Sequence, residues 1–359
     1  NAARGDHAHD DADAVGCWVT RVPELEHTFS GRLRIDPVDA AAVLARADLG
    51  DQYIVYEWAG TWHVAAGAAA ELSVTADALR LRAGQWHDSL PVTDPVEATG
   101  DAVSRLQRSC PERWCYGWAA FELAYCIYGM HGASDGLCGG RAEVGNDPII
   151  HVMVPAVDVV LRDGRVSIAS TTDALLSRVR RALDSNQEVP LVGPSISIPD
   201  MDSRPYSIAV QKSIDAINDH QLNKVVLSRV VPLPERSRLD FAQTYVVGRR
   251  ANTPARSFLM HLGGWSAVGF SPETVLEVDK NRRVRTLPLA GTRALVDDPE
   301  TARRIRGDLL SDVKEIHEHA ISAKLAMDEV RRVCDPGTVS VDRFMDIEER
   351  GSVQHLAPA

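Results

Sequence analysis

Residues 307–330, GDLLSDVKEIHEHAISAKLAMDEV, constrain this chain more than any other stretch. Their periodicity predicts one long helix with two unlike faces. Val313, Ile316, Ala320, Ala323, Met327 and Val330 recur at helical spacing and predict an apolar stripe against a core. Glu315, Glu318, His319 and Ser322 fall at i, i+3, i+4 and i+7 and share a second stripe. Two carboxylates stacked one turn apart repel each other. A chain tolerates that on a solvated face, or where a cation sits between them.

The rest of the chain limits what such a helix can serve. The 359 residues suffice for one large domain or two ordinary ones. No apolar run approaches the length of a membrane span, and no signal peptide is visible, so a cytoplasmic protein without a membrane partner is expected. Cys17, Cys110, Cys115, Cys126, Cys138 and Cys334 lack metal-ligand or CxxC spacing and read as reduced thiols. A net charge of −11 argues against nucleic acid as a partner. It also disfavours an anionic substrate unless local positive charge or a metal offsets it.

In chain order, residues 1–29 are polar, with His7, His9 and a run of aspartates, and are expected to form a disordered tail. Asp36-Pro37 opens a helix that stops before Gly50. Residues 53–67 predict a hairpin broken at Ala59-Gly60, and residues 71–83 a strand pair around Asp77. A helix is expected over 94–109, then a buried strand leading into a helix over 115–123. After a glycine-rich loop at 132–146, residues 148–170 predict a hairpin across Asp163-Gly164. A helix over 172–185 precedes a linker at 186–204, rich in proline and serine. Beyond it come a helix over 206–221, a strand over 224–231, a helix over 241–251, two strands turned at Gly263-Gly264, and strands over 275–278 and 284–289. Hairpins with helices interspersed make this an α+β fold, with antiparallel sheets and helices packed outside.

Four elements carry candidate chemistry. Lys224 opens the apolar strand KVVLSRVV, where burial would favour the neutral amine and make it a base; a lysine reaching water from a strand end is the plainer reading. Glu273, in GFSPE, follows a turn fixed by Pro272 and suits either a general acid or a turn carboxylate. Gly291 and Thr292, in PLAGTR, form a turn whose N–H and hydroxyl suit a carboxylate or phosphate, although most such turns are only turns. The fourth is the acidic helix itself.

The segments NKVVLSR, GFSPE, PLAGTR, DLLSDVKEIHEHAI and RGSVQHL resemble the chorismate-utilising enzymes, the family of anthranilate, aminodeoxychorismate, isochorismate and salicylate synthases. Within it, YIVYEWAGTWHVAAG, YGWAAFELAYCIYG and the stretch from GRRANTPARSF to GFSPE look most like the actinobacterial salicylate synthases of siderophore assembly. The resemblance runs from about residue 52 to 356 and implies a single chorismate-binding domain over 30–359. It implies that Lys224 is the general base for a water attacking C2 of chorismate, since this place holds glutamine where ammonia is the nucleophile. Ala290 stands where aminodeoxychorismate synthases carry a nucleophilic lysine. By the same resemblance Glu273 is the general acid for the C4 hydroxyl, Gly291 and Thr292 contact a substrate carboxylate, and His355 lies beside the substrate. Mg2+ is implied as cofactor, held in part by Glu318 with Glu315 close by, and no amidotransferase partner is expected.

Family members continue past the position of Ala359 with a tyrosine, an arginine, a glycine-rich turn and further acidic residues for the magnesium site. The resemblance therefore implies a truncated catalytic half. Three readings follow from the sequence: a salicylate synthase, an isochorismate synthase that stops before pyruvate loss, and a truncated non-catalytic chorismate-binding domain.

Overall fold

A computed structural model of the chain describes residues 10–128, 147–185, 202–233 and 239–357. The glycine-rich loop and most of the expected linker lie outside these residues. The chain divides into two compact units, Asn1–Val189 with Phe241–Ala359, and Pro190–Asp240.

The larger unit begins with α1 (Asp10–Thr20), β1 (His27–Arg32), α2 (Pro37–Arg46), β2 (Tyr53–Trp58), β3 (Thr61–Val74), β4 (Ala78–Ala83), β5 (Trp86–Pro91) and α3 (Pro95–Ser109). There follow β6 (Tyr116–Ala119), α4 (Leu123–Ile127), β7 (Ile150–Arg162), β8 (Arg165–Ser170) and α5 (Asp173–Asp184). The smaller unit contains α6 (Arg204–Asn218). The larger unit resumes with α7 (Phe241–Ala251), β9 (Arg256–Leu262), β10 (Trp265–Ser271), β11 (Thr274–Val278), β12 (Val284–Leu287) and β13 (Ala290–Ala294). It continues with α8 (Pro299–Ser311), α9 (Val313–Val330), β14 (Asp346–Arg350) and β15 (Val353–Ala357).

One antiparallel sheet runs β1-β8-β7-β3-β2-β9-β10, with β4, β5 and β6 joined beside it. Its hairpins turn where expected. Ala59-Gly60, Asp163-Gly164 and Gly263-Gly264 all have positive φ at both residues, the backbone twist that two-residue hairpins require. Helices α2, α5 and α7 lie on one face, and Leu44, Val64, Val159, Val179, Tyr245 and Leu259 share the core beneath them. A second core joins Trp18 and Val19 of α1 to Leu72, Leu81 and Leu106.

That second core corrects the expected tail. Residues 10–20 are helical because Trp18 is fully buried and its indole N–H donates to the Arg82 carbonyl at 3.0 Å. The anchor lies 64 residues away, so local polarity concealed it. Residues 1–9 lie outside the described ones.

The smaller unit corrects a second expectation. Residues 224–231 form no strand. A strand needs a neighbour for its N–H and C=O groups, and among the described residues none pairs with it. Val226 and Val230 are consequently more than four-fifths exposed. The segment is tied to α6 through Tyr206, whose hydroxyl donates to the Leu227 carbonyl at 3.4 Å and whose ring lies beneath the Arg229 guanidinium.

Candidate functional site

The acidic helix is two helices. Asp312 ends α8 and caps α9, its carboxylate accepting from the Lys314 and Glu315 N–H groups. An aspartate with extended backbone competes well for free N–H groups at a helix start, and it breaks the expected continuous run. The inward face of α9 also differs from expectation. Its buried residues are Glu315 and His319 of the charged stripe together with Ala323 of the apolar one, whereas Val313 is 81% exposed. Ionisable groups are thus packed inward beside part of the apolar stripe.

What packs against it is a small sheet, β13-β15-β14. In its register Thr292 faces His355, and His355 faces Glu348 on the other side. A bulge between Ala290 and Thr292 is made by Gly291, at φ +75°. A Cβ there would stand 3.1 Å from Glu315 Oε2 and 3.2 Å from Leu356, so glycine is required by backbone conformation and by crowding together. The turn brings the Thr292 N–H to within 3.3 Å of Glu315 Oε2, and the Thr292 hydroxyl to within 3.0 Å of His355 Nδ1.

Arg293 fixes Glu315 from the other side. Its guanidinium donates to Glu315 at 2.9 Å and to Asp312 at 2.8 Å, tying the glycine turn to the start of α9. Burial pushes the Glu315 carboxyl up, but Arg293 and Lys314 outweigh it and hold the group below the usual range. Lys314 donates to Glu315 at 3.1 Å and to Glu318 at 2.9 Å. Glu318 is more open than Glu315, its side chain 37% exposed.

Glu273 belongs to the same neighbourhood. The Leu289 N–H donates to its carboxylate at 2.8 Å, and the Ser271 hydroxyl to its carbonyl at 3.0 Å. Its charge is felt at His355, where burial and Arg350 push the imidazole down and Glu273 pulls it up, leaving it lowered. His355 Nε2 and both ring nitrogens of His319 are buried without a hydrogen-bond partner among the described residues. His319 rests against Phe344, and burial lowers its pKa, which favours the neutral ring.

The structure thus gathers Glu273, Gly291, Thr292, Glu315, Glu318 and His355. Lys224 belongs to the smaller unit and is exposed, so the burial expected to favour its neutral amine is not found there. Sequence reasoning passed over Arg293 and Lys314. The arginine at the end of PLAGTR and the lysine opening KEIHE were signals, since a buried carboxylate needs a cation nearby.

Among the described residues no group of three or more His, Cys, Asp or Glu side chains forms a metal site. Glu315 and Glu318 nevertheless converge on one ammonium, so both carboxylates share a single positive charge. Carboxylate oxygens suit magnesium, which is commonly held by one or two of them with water and substrate completing the shell. The pair fits magnesium as a partial donor set.

Residues 51–358 match the family of chorismate binding enzymes, and the chain belongs to it. It is 35% identical over 329 residues to a salicylate synthase from Mycolicibacterium paratuberculosis, covering 90% of this chain and 70% of the relative. It is 28% identical over 299 residues to an anthranilate synthase component 1 from Halobacterium salinarum, covering 74% of this chain and 56% of that one. The menaquinone-specific isochorismate synthase from Escherichia coli shares the fold, with a TM-score of 0.59 at 20% identity over 97% of this chain and 73% of that one. No helix among the described residues is long and apolar enough to cross a membrane, and Cys17, Cys110, Cys115, Cys126 and Cys334 are free thiols.

Proposed function

We propose that the protein converts chorismate to isochorismate and then to salicylate and pyruvate, with magnesium as cofactor. The observation that carries this reading is the inward stripe of α9 meeting the Gly291–Thr292 turn and His355, in a chain similar over 90% of its length to a salicylate synthase. In this reading Lys224 takes a proton from the water that adds at C2. Glu273 delivers a proton to the departing C4 hydroxyl, and the Leu289 N–H keeps its carboxyl aimed. Gly291 and Thr292 bind a substrate carboxylate through the turn, and His355 orients the Thr292 hydroxyl. Glu318, with Glu315 one turn away, would hold magnesium, which offsets the charge of the ring carboxylate when bound. The second step moves the C2 hydrogen to the enolpyruvyl group as its C–O bond breaks, and it needs mainly a held substrate conformation. Water as the nucleophile makes an amidotransferase partner unnecessary.

A second reading, isochorismate synthase alone, is favoured by the fold likeness to the Escherichia coli enzyme. Site variants test the common first step. Lys224→Ala and Glu273→Gln should each lower chorismate turnover by roughly 10²- to 10⁴-fold while the far-UV spectrum is kept. Turnover retained in either removes that residue from the mechanism. Glu318→Gln should sharply raise the magnesium requirement, and an unchanged requirement would move the metal elsewhere.

A further inference from the structure

Two cations serve the carboxylates of α9, and they are unequal. Arg293 has a side chain 29% exposed and is divided between Asp312 and Glu315, so it is built into the turn that it braces. Lys314 is 71% exposed and touches the site only through its ammonium, at 3.1 Å from Glu315 and 2.9 Å from Glu318. Its long stem can swing into water without uncovering any core. The ammonium supplies a positive charge shared by both carboxylates, as a bound cation would.

We propose that Lys314 is an internal counter-cation, which holds the Glu315–Glu318 pair in the metal-free protein and gives way when a divalent cation binds. The inference rests on the reading that Glu318 binds that cation. Without a cation between them, two carboxylates one turn apart repel each other, and the start of α9 and the Gly291–Thr292 turn bound to Glu315 would lose definition. Lys314 prevents this at little cost in later exchange, because an exposed ammonium released to water regains its hydration. Arg293 stays on Glu315 throughout, so Glu318 is the carboxylate left freest for the metal. The lysine thereby sets how much free cation is needed to load the site.

The test is the affinity for Mg2+, measured by titration calorimetry on the wild-type protein, Lys314→Met, Lys314→Arg and Glu318→Gln, with thermal melts of each with and without Mg2+. Two ion pairs made by one exposed lysine, in competition with the metal, correspond to roughly a three- to tenfold effect on the dissociation constant. Lys314→Met should therefore bind Mg2+ more tightly by that factor and show a larger Mg2+-induced rise in melting temperature. Lys314→Arg, which keeps the charge, should not bind more tightly than wild type. Equal or weaker binding by a folded Lys314→Met would overturn the proposal. If Glu318→Gln binds Mg2+ as wild type does, the metal lies elsewhere and the reading beneath the proposal fails with it.

Discussion

Helices α2 and α9 both pack one face against a sheet, but they bury opposite kinds of residue. The inward face of α2 is Ala40, Ala41, Leu44 and Ala45, seated on Val64 and Val159 of the large sheet. The inward face of α9 is Glu315, His319 and Ala323, seated on the bulged strand β13 and on β15. The first arrangement is almost wholly apolar, and its one buried carboxylate, Asp39, is paired with Arg250 at 2.7 Å. The second is stable only because Arg293, Lys314 and the Thr292 N–H meet Glu315, and it still leaves His319 without a hydrogen-bond partner among the described residues. Ionisable groups turned inward without full pairing depart from ordinary packing and make α9 the candidate functional element of the two.

The largest effect should come from α2. Leu44→Ala removes a side chain only 1% exposed and should cost about 2–5 kcal/mol in denaturant unfolding, while the affinity of the folded protein for chorismate is kept. A comparable loss of affinity in the folded variant would mean that the two regions are coupled.

Asp158, on β7, is one of the buried carboxyl groups of the large sheet, with Glu57 on β2, and can be set against those of α9. Burial raises its carboxyl from 3.8 to about 6, with the Tyr116 hydroxyl donating to it at 3.3 Å. The folded state holds this proton more tightly than the unfolded chain does. The associated stability is complete below the unfolded pKa and is lost as pH rises through about 6. Asp158→Asn should therefore raise stability at pH 8 by an amount on the order of 3 kcal/mol and change it little at pH 3.5. A gain that is equal at both pH values would contradict the assignment.

On α9 the sign should reverse relative to α2. His319→Leu replaces an imidazole that has no hydrogen-bond partner for either nitrogen among the described residues, and should stabilise the fold by about 1–3 kcal/mol. Loss of stability would show that the ring makes a contact that matters more than its desolvation. The smallest effect is expected at Asp94, the cap of α3, which accepts from the Val96 and Glu97 N–H groups. Asp94→Ala should cost about 1 kcal/mol, read from the shift in thermal midpoint, with no change in turnover.

The same contrast explains what could be read from the residues alone. The hairpins at Ala59-Gly60, Asp163-Gly164 and Gly263-Gly264 were legible because their turns impose a local conformation that few residues accept. The start of α2 was legible for the same reason, with Asp36-Pro37 opening it, and α3 was legible from its periodicity. Trp18 was not, because its partner is on β4. The burial of Glu315 and His319 on α9 was not, because an apolar stripe at helical spacing outranks a charged one in a local reading, and the Thr292 and Arg293 groups that meet Glu315 lie on β13. Glu273, Gly291, Thr292, Glu318 and His355 were legible as motifs, and the structure brings them to one region. Lys224 was legible as a motif, but its expected strand depends on a partner strand that periodicity does not supply.

The most direct test of the proposed activity is to incubate the purified protein with chorismate and Mg2+ and to separate the products by chromatography. The account predicts salicylate and pyruvate in equal amounts, with none formed when Mg2+ is chelated. Isochorismate as the sole product would retain the first step and contradict the second, and unchanged chorismate from folded protein would contradict both.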